Sequence, residues 1–259
     1  MSIGMMAWFL FDDSLWTSMQ SAYNTQKRSA FLDVYRGSAV LLMMIFHFCW
    51  DLRDFDFLTF SIHDPFWVYF RKVILLLFLS AVGWSSYLAH ISMKQKKAPF
   101  WRRDAKLFCS AAGISLVTYL AVPDQWIYFG ILHFIFIASL ITRPFAGWPI
   151  VSALIGASIV FLYQLTHWLH FPNAFAMITQ YISLPSRTLD IVFPFPWLGV
   201  VLIGPIIGHL RWHQWSLPNN LLTSILAYMG RHALPFYLLH QLVLYSLVAL
   251  SKIIATSLL

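Results

Sequence analysis

The run FLDVYRGSAVLLMMIFHFCWDLR, residues 31–53, has the length and polarity of a helix that crosses a bilayer, yet it carries Asp33, Arg36, His47 and Asp51. An ionisable group in hydrocarbon is costly unless it faces a partner or a water-filled cavity, so each of the four marks a candidate functional site. Their spacing narrows the possibilities. At about 100° per residue, Arg36 and His47 point within about 20° of each other after three turns. Asp33 lies one turn below Arg36 and Asp51 one turn above His47, so all four share one stripe. A helix bathed in lipid on every side has no use for such a stripe. The chain must build a bundle with a polar interior.

The stripe has two halves. Asp33 and Arg36, three apart, are spaced to pair near one end of the helix, and His47 and Asp51, four apart, near the other. A carboxylate one turn from an imidazole fixes its tautomer and raises its basicity, as a general base requires. The competing reading makes the pair a mere pin between helices. It is the weaker one, because a buried charged pair is a poor stability device.

The rest of the chain fits an all-α polytopic membrane protein. It is 59% hydrophobic and 10% charged, with mean hydropathy +0.69, outside the range of soluble domains. Hydrophobic runs predict about seven transmembrane helices around a polar cavity, over 31–50, 66–90, 107–122, 126–142, 148–166, 191–209 and 232–254. The apolar stretch 221–230 is too short to cross about 30 Å and reads as in-plane or re-entrant. Residues 1–26 read as a flexible or surface-lying lead to one membrane domain, 27–259. The middle of the long segment 167–190, AFAMITQYI, reads as an interfacial helix.

The net charge of +7 does not imply nucleic acid, because the basic residues cluster. Lys94, Lys96, Lys97, Arg102, Arg103 and Lys106 fall between two hydrophobic runs, and Lys27 and Arg28 precede the first. Both groups mark the cytoplasmic side under the positive-inside rule, which puts the N-terminus inside. The segment 51–65 sets Asp51, Asp54, Asp56 and Asp64 against Arg53 and reads as external. Cys49 and Cys109, in hydrophobic segments, supply neither a disulfide framework nor a metal motif, and no metal is expected.

Helix rise gives rough depths. His47 lies about 24 Å above the inner end of its helix and His133 about 10 Å below the outer end of the fourth span, so the two are expected to meet in one cavity. His240, about 12 Å above the inner end of the last span, is expected to lie deeper, beside Gln241. His47 with Asp51 is the candidate catalytic base, and Arg36, His240 and Gln241 are candidate contacts for a group donor, with His133 a further candidate.

The run LDVYRGSAVLLMMIFHFCWDL resembles the first membrane segment of the heparan-alpha-glucosaminide N-acetyltransferase-like family in its short bacterial form. The resemblance continues through FLSAVGWSSYLA, PDQWIYFGILHFIFIASL, PFPWLGVVLIGPIIG and LAYMGRHALPFYLLHQLVLY, and covers roughly residues 28–250. Arg36, ten residues and His47 also resemble the signature of the acyltransferase-3 family of membrane O-acyltransferases. The resemblance implies transfer of an acetyl group from cytosolic acetyl-CoA to a sugar or glycan acceptor on the outer side, in a bacterial inner membrane. It leaves open the acceptor, the choice of N- or O-acylation, an acyl-histidine against direct transfer, and the oligomeric state. The rival reading is a transporter or flippase that uses the same intramembrane charges as a proton relay.

Overall fold

The computed structural model describes residues 29–96, 101–166, 169, 181, 184, 185 and 187–257. The lead 1–26, Lys97 and most of the interfacial stretch 174–182 lie outside the described residues. Among the described residues eight α-helices follow in order: α1 Ala30–Asp54, α2 Pro65–Lys96, α3 Trp101–Ala121, α4 Ile131–Phe145, α5 Pro149–Leu165, α6 Trp197–His209, α7 Leu221–Arg231 and α8 Ala233–Ser257. There is no β-strand among the described residues, only an isolated parallel bridge between Phe129 and Ile191. The all-α, polytopic architecture expected from the sequence is the one observed.

Local chemistry explains where these helices begin. The Ser29 hydroxyl accepts from the Leu32 N–H at the start of α1, and Asp33 in the first turn suits the positive end of the helix dipole. Pro149 opens α5 at the one turn where its missing N–H costs nothing. Asn220 caps α7 by accepting from the Thr223 N–H at 2.9 Å.

Helix α1, residues 65–92 of α2, and α8 are long and apolar enough to cross a membrane. Only 11% of the apolar window of α8 is buried within the protein, so most of that helix faces away from the bundle. Leu239, Leu242, Val243, Leu250 and Ile253 form its exposed apolar surface.

Helices α4 and α6 are shorter than expected. They have 15 and 13 residues, about 22 and 20 Å of helix, less than the hydrocarbon thickness. The expected fourth and sixth spans began at 126 and 191, but 126–130 and 191–196 are not helical. They lie beside each other, with Leu189 N–H donating to the Gln125 carbonyl at 2.9 Å and Val192 N–H to Phe129 at 3.4 Å. Pro194 and Pro196 have no N–H to give a helix ladder, which favours a late start for α6. Side-chain hydroxyls serve the freed backbone groups. Ser115 donates to the Ile127 carbonyl at 2.6 Å, Thr188 to Trp126 at 2.9 Å, and Thr118 accepts from Ile127 N–H at 3.0 Å. Irregular backbone is tolerated at membrane depth only where protein covers it or a cavity adjoins it.

Close backbone contacts hold the bundle. A Cβ on Gly37 would overlap the Leu226 carbonyl, and one on Gly230 the Asp33 carbonyl, so α7 sits against the lower half of α1 at glycine-only distance. Gly83 and Gly204 do the same for α2 and α6. Above the α7 contact, Val40, Met43, Ile74 and Met229 form a core cluster onto which Ala233 and Phe236 pack. The last helix therefore begins near the middle of α1, not at its N-terminal end.

Candidate active site

That starting level sets the geometry of the site. With α8 beginning beside Val40 and Met43, His240 is carried up to the level of His47. Their ring centroids are 4.8 Å apart and their planes cross at 80°. The expectation that His240 lies deeper is thereby corrected. It assumed that the last span starts at the inner surface, whereas α7 occupies that lower part.

The hydrogen bonds assign both tautomers. His47 Nδ1 lies 2.9 Å from the Met43 carbonyl and His240 Nδ1 2.6 Å from the Tyr237 carbonyl. A carbonyl only accepts, so each Nδ1 carries a proton, and in the neutral ring each Nε2 presents a lone pair. His240 Nε2 is buried with no hydrogen-bond partner among the described residues.

Asp51 is 2% exposed and belongs to α1, not to the loop expected from residue 51. Its partner is Gln241, whose Nε2 donates to Asp51 Oδ1 at 2.8 Å. The expected hydrogen bond between Asp51 and His47 is not made. The Met43 carbonyl fixes the imidazole instead, and Asp51 acts on it through space. Asp51 Oδ2 and Gln241 Oε1 are buried without partners among the described residues. Four acceptor atoms, two imidazole nitrogens and two oxygens, thus sit on neighbouring turns of α1 and α8. Such a surface is costly as it stands and suits a ligand that brings N–H or O–H donors.

Asp190 is a member that sequence reasoning missed. It lies in the extended stretch before α6, where no helical periodicity points to it. Its Oδ2 accepts from the Ile131 N–H at 2.8 Å, capping α4, and from the Tyr237 hydroxyl at 3.5 Å.

His133, expected as a donor contact, has both ring nitrogens in use. The Gly130 N–H donates to Nδ1 at 3.3 Å, so Nε2 holds the proton and donates to Ser115 at 3.1 Å. This ring ties α3 to the start of α4. Arg36 stands at the other end of the stripe. It faces Asp33 at 3.7 Å and donates to the Ser85 hydroxyl of α2. Eleven residues separate it from His47, about 16 Å along the helix. No group of three or more metal-ligand side chains occurs among the described residues.

The catalytic-domain model of heparan-alpha-glucosaminide N-acetyltransferase matches residues 28–242, most of the chain. The match spans α1 to the first part of α8 and includes His47, Asp51, Asp190, His240 and Gln241. No curated protein and no solved structure matches.

Proposed function

Since the chain belongs to the heparan-alpha-glucosaminide N-acetyltransferase family of membrane acetyltransferases, we propose that it moves an acetyl group from cytosolic acetyl-CoA to a sugar or glycan acceptor on the outer side of the membrane. The observation that carries this reading is the pair of Nε2 lone pairs on His47 and His240, 4.8 Å apart by ring centroid, beside the unpartnered oxygens of Asp51 and Gln241. Acceptor-rich surroundings favour an amine or hydroxyl substrate, and a neutral imidazole with its far nitrogen anchored is poised to take a proton from it.

Two orders of events fit the geometry. In direct transfer, His47 Nε2 takes the proton as the acceptor nitrogen or oxygen bonds to the thioester carbonyl carbon. The carbon–sulfur bond then breaks, and the thiolate leaves with the proton that His47 held. In the two-step order, His47 Nε2 bonds to the thioester carbonyl carbon first, the carbon–sulfur bond breaks, the thiolate departs, and the acetyl group rides on the imidazolium. His240 Nε2 is then the neighbouring base for the acceptor. Asp51 stabilises imidazolium charge in either order, and Asp190 through Tyr237 holds α8 in register. Arg36 and Gln241 are assigned to holding the donor and the top of the site, and His133 to positioning α4.

On this reading the protein sits in a bacterial inner membrane with the α2–α3 end and the N-terminus on the cytoplasmic side, an orientation that the clustered basic residues of that junction support. The test is incubation of purified protein with radiolabelled acetyl-CoA and amino sugars or glycans. Label is expected in the acceptor, or on protein when acceptor is withheld. A transporter would leave both unlabelled.

A further inference from the structure

Two cations at the end that carries His47 have no part in the site described so far. Arg71 and Lys72 lie about 9 Å along α2 from its start at Pro65, and both are exposed. The acids near them are engaged elsewhere. Asp54 pairs with Arg53 at 3.0 Å and Asp56 with Lys252 at 3.8 Å. Asp64 accepts from the Ser61 N–H, Asp51 from Gln241 and Asp190 from the Ile131 N–H. Asp124, on the turn between α3 and α4, pairs with neither cation. Lys72 lies over the Tyr69 ring, 5.3 Å away. The two side chains point in different directions. Ile74 belongs to the cluster on α1, with Val40 and Met43, whereas Leu75 packs on Leu79, Ile131 and Phe134 beside α4. Tyr237 packs against both clusters and so fills the seam between them. Arg71, three residues before Ile74 and four before Leu75, stands over that seam one turn nearer the helix start. The neighbouring Phe70 ring is 5.9 Å from Phe46, which puts Arg71 at about the level of His47. Lys72 shares a face with Tyr69, Val73 and Leu76, exposed side chains on the outside of the bundle.

A ligand that touches both cations therefore lies between the histidine seam and the bilayer. We infer that Arg71 and Lys72 hold the phosphate of a lipid-borne sugar acceptor, which enters sideways from the membrane with its hydrocarbon chain along Val73 and Leu76 and its sugar in the seam beside His47. The fate of the sugar rests on the transferase reading; the recognition of a lipid phosphate does not. Depth supports it, since long cationic side chains about 9 Å from a helix end reach the headgroup level of a bilayer. So does chemistry. A guanidinium fork matches two phosphate oxygens, and an adjacent ammonium adds a point charge. So does the outward face of α2, because a soluble glycan approaching from water has no use for a lysine among side chains that meet lipid.

Full-length protein in phosphatidylcholine nanodiscs is given acetyl-CoA and three probes. Glucosamine 1-(dodecyl phosphate) has both chain and phosphate, dodecyl glucosaminide has the chain alone, and glucosamine 1-phosphate has the phosphate alone. Binding, transfer and melting are measured on the same preparations. The dodecyl phosphate probe is expected to bind about tenfold or more tightly than either of the others. Arg71→Gln is expected to raise its Kd and KM by about tenfold with kcat little changed, and to leave dodecyl glucosaminide unaffected. Arg71→Lys keeps the charge but loses the fork, so its loss is expected to be severalfold, as is that of Lys72→Gln. Equal affinity for the dodecyl phosphate probe in the parent and Arg71→Gln overturns the inference. So does a parent that binds glucosamine 1-phosphate as tightly as the lipid form. If Arg71→Gln does not fold, Arg71→Lys and Lys72→Gln are compared instead, and unchanged affinity in both overturns it. Arg71-dependent binding of the dodecyl phosphate probe without acetyl transfer to any probe keeps the lipid-phosphate site and removes the transferase reading. Transfer to dodecyl glucosaminide, with phosphate-probe affinity indifferent to Arg71, does the reverse.

Discussion

The two ends of this bundle treat buried polar groups in opposite ways. At the inner end charges meet charges: Asp33 faces Arg36 at 3.7 Å and Asp104 grips Arg143 at 2.6 Å. At the end that carries His47, acceptors face other acceptors: His240 Nε2, Asp51 Oδ2 and Gln241 Oε1 are buried with no donor among the described residues, beside the half-buried His47 ring. The charges at the inner end satisfy one another, although the neutral Trp84 Nε1 and Thr142 Oγ1 are buried there without a partner among the described residues. A network left short of donors is maintained for something that arrives. The difference separates the part of the polar stripe that assembles the helices from the part that does chemistry.

The contrast yields graded outcomes. The largest effect is expected from Asp190→Ala, which leaves the Ile131 N–H and the Tyr237 hydroxyl without their acceptor at the start of α4. A loss of about 3 kcal/mol in stability should accompany loss of activity. Asp190→Asn, which keeps an acceptor oxygen, should recover most of that stability in detergent melts. If Asp190→Ala melts like the parent, Asp190 is not the outer keystone.

At the inner end, Asp104→Ala should cost about 1–2 kcal/mol, the penalty of a broken ion pair discounted for its partial exposure. Transfer per folded molecule should be retained when donor is saturating. A strong loss of turnover with no change in melting would erase the distinction between the ends.

Asp51→Asn is expected to be milder. Gln241 can still donate to the remaining carbonyl oxygen, so the shape survives while the negative charge beside His47 is lost. Turnover should fall by about tenfold with melting unchanged, roughly the value of one charged partner.

The smallest perturbation concerns sidedness. Ser61 and Ser92 are both exposed, at opposite ends. With Cys49 and Cys109 removed, a cysteine at 61 should react with an impermeant thiol reagent from outside and one at 92 should not. Labelling at 92 from outside would invert the assignment of the ends.

The stripe on α1 was legible because a helix repeats every 3.6 residues and local spacing alone places Asp33, Arg36, His47 and Asp51 together. The all-helical membrane class was legible from long apolar runs. What the sequence hid was long-range. The partner of Asp51 is Gln241, 190 residues away, and no periodicity links them. Segments 126–130 and 191–196 are apolar, and a short apolar run does not distinguish buried extended chain from helix. Asp190 was hidden for the same reason, since its role comes from the pairing of those two segments. The depth of His240 was misjudged because Gly37 and Gly230 seat α7 beneath it, a contact visible only in three dimensions.

The central claim is that the His47 imidazole, anchored through Nδ1 by the Met43 carbonyl, acts at the reacting centre through Nε2. His47→Ala is the direct test, with acetyl transfer, coenzyme A affinity and melting temperature measured on the same preparation. Transfer should fall by roughly 10²–10⁴-fold, the usual contribution of a general base, while affinity and melting stay near those of the parent. A well-folded His47→Ala protein that transfers acetyl at the parental rate would contradict the account.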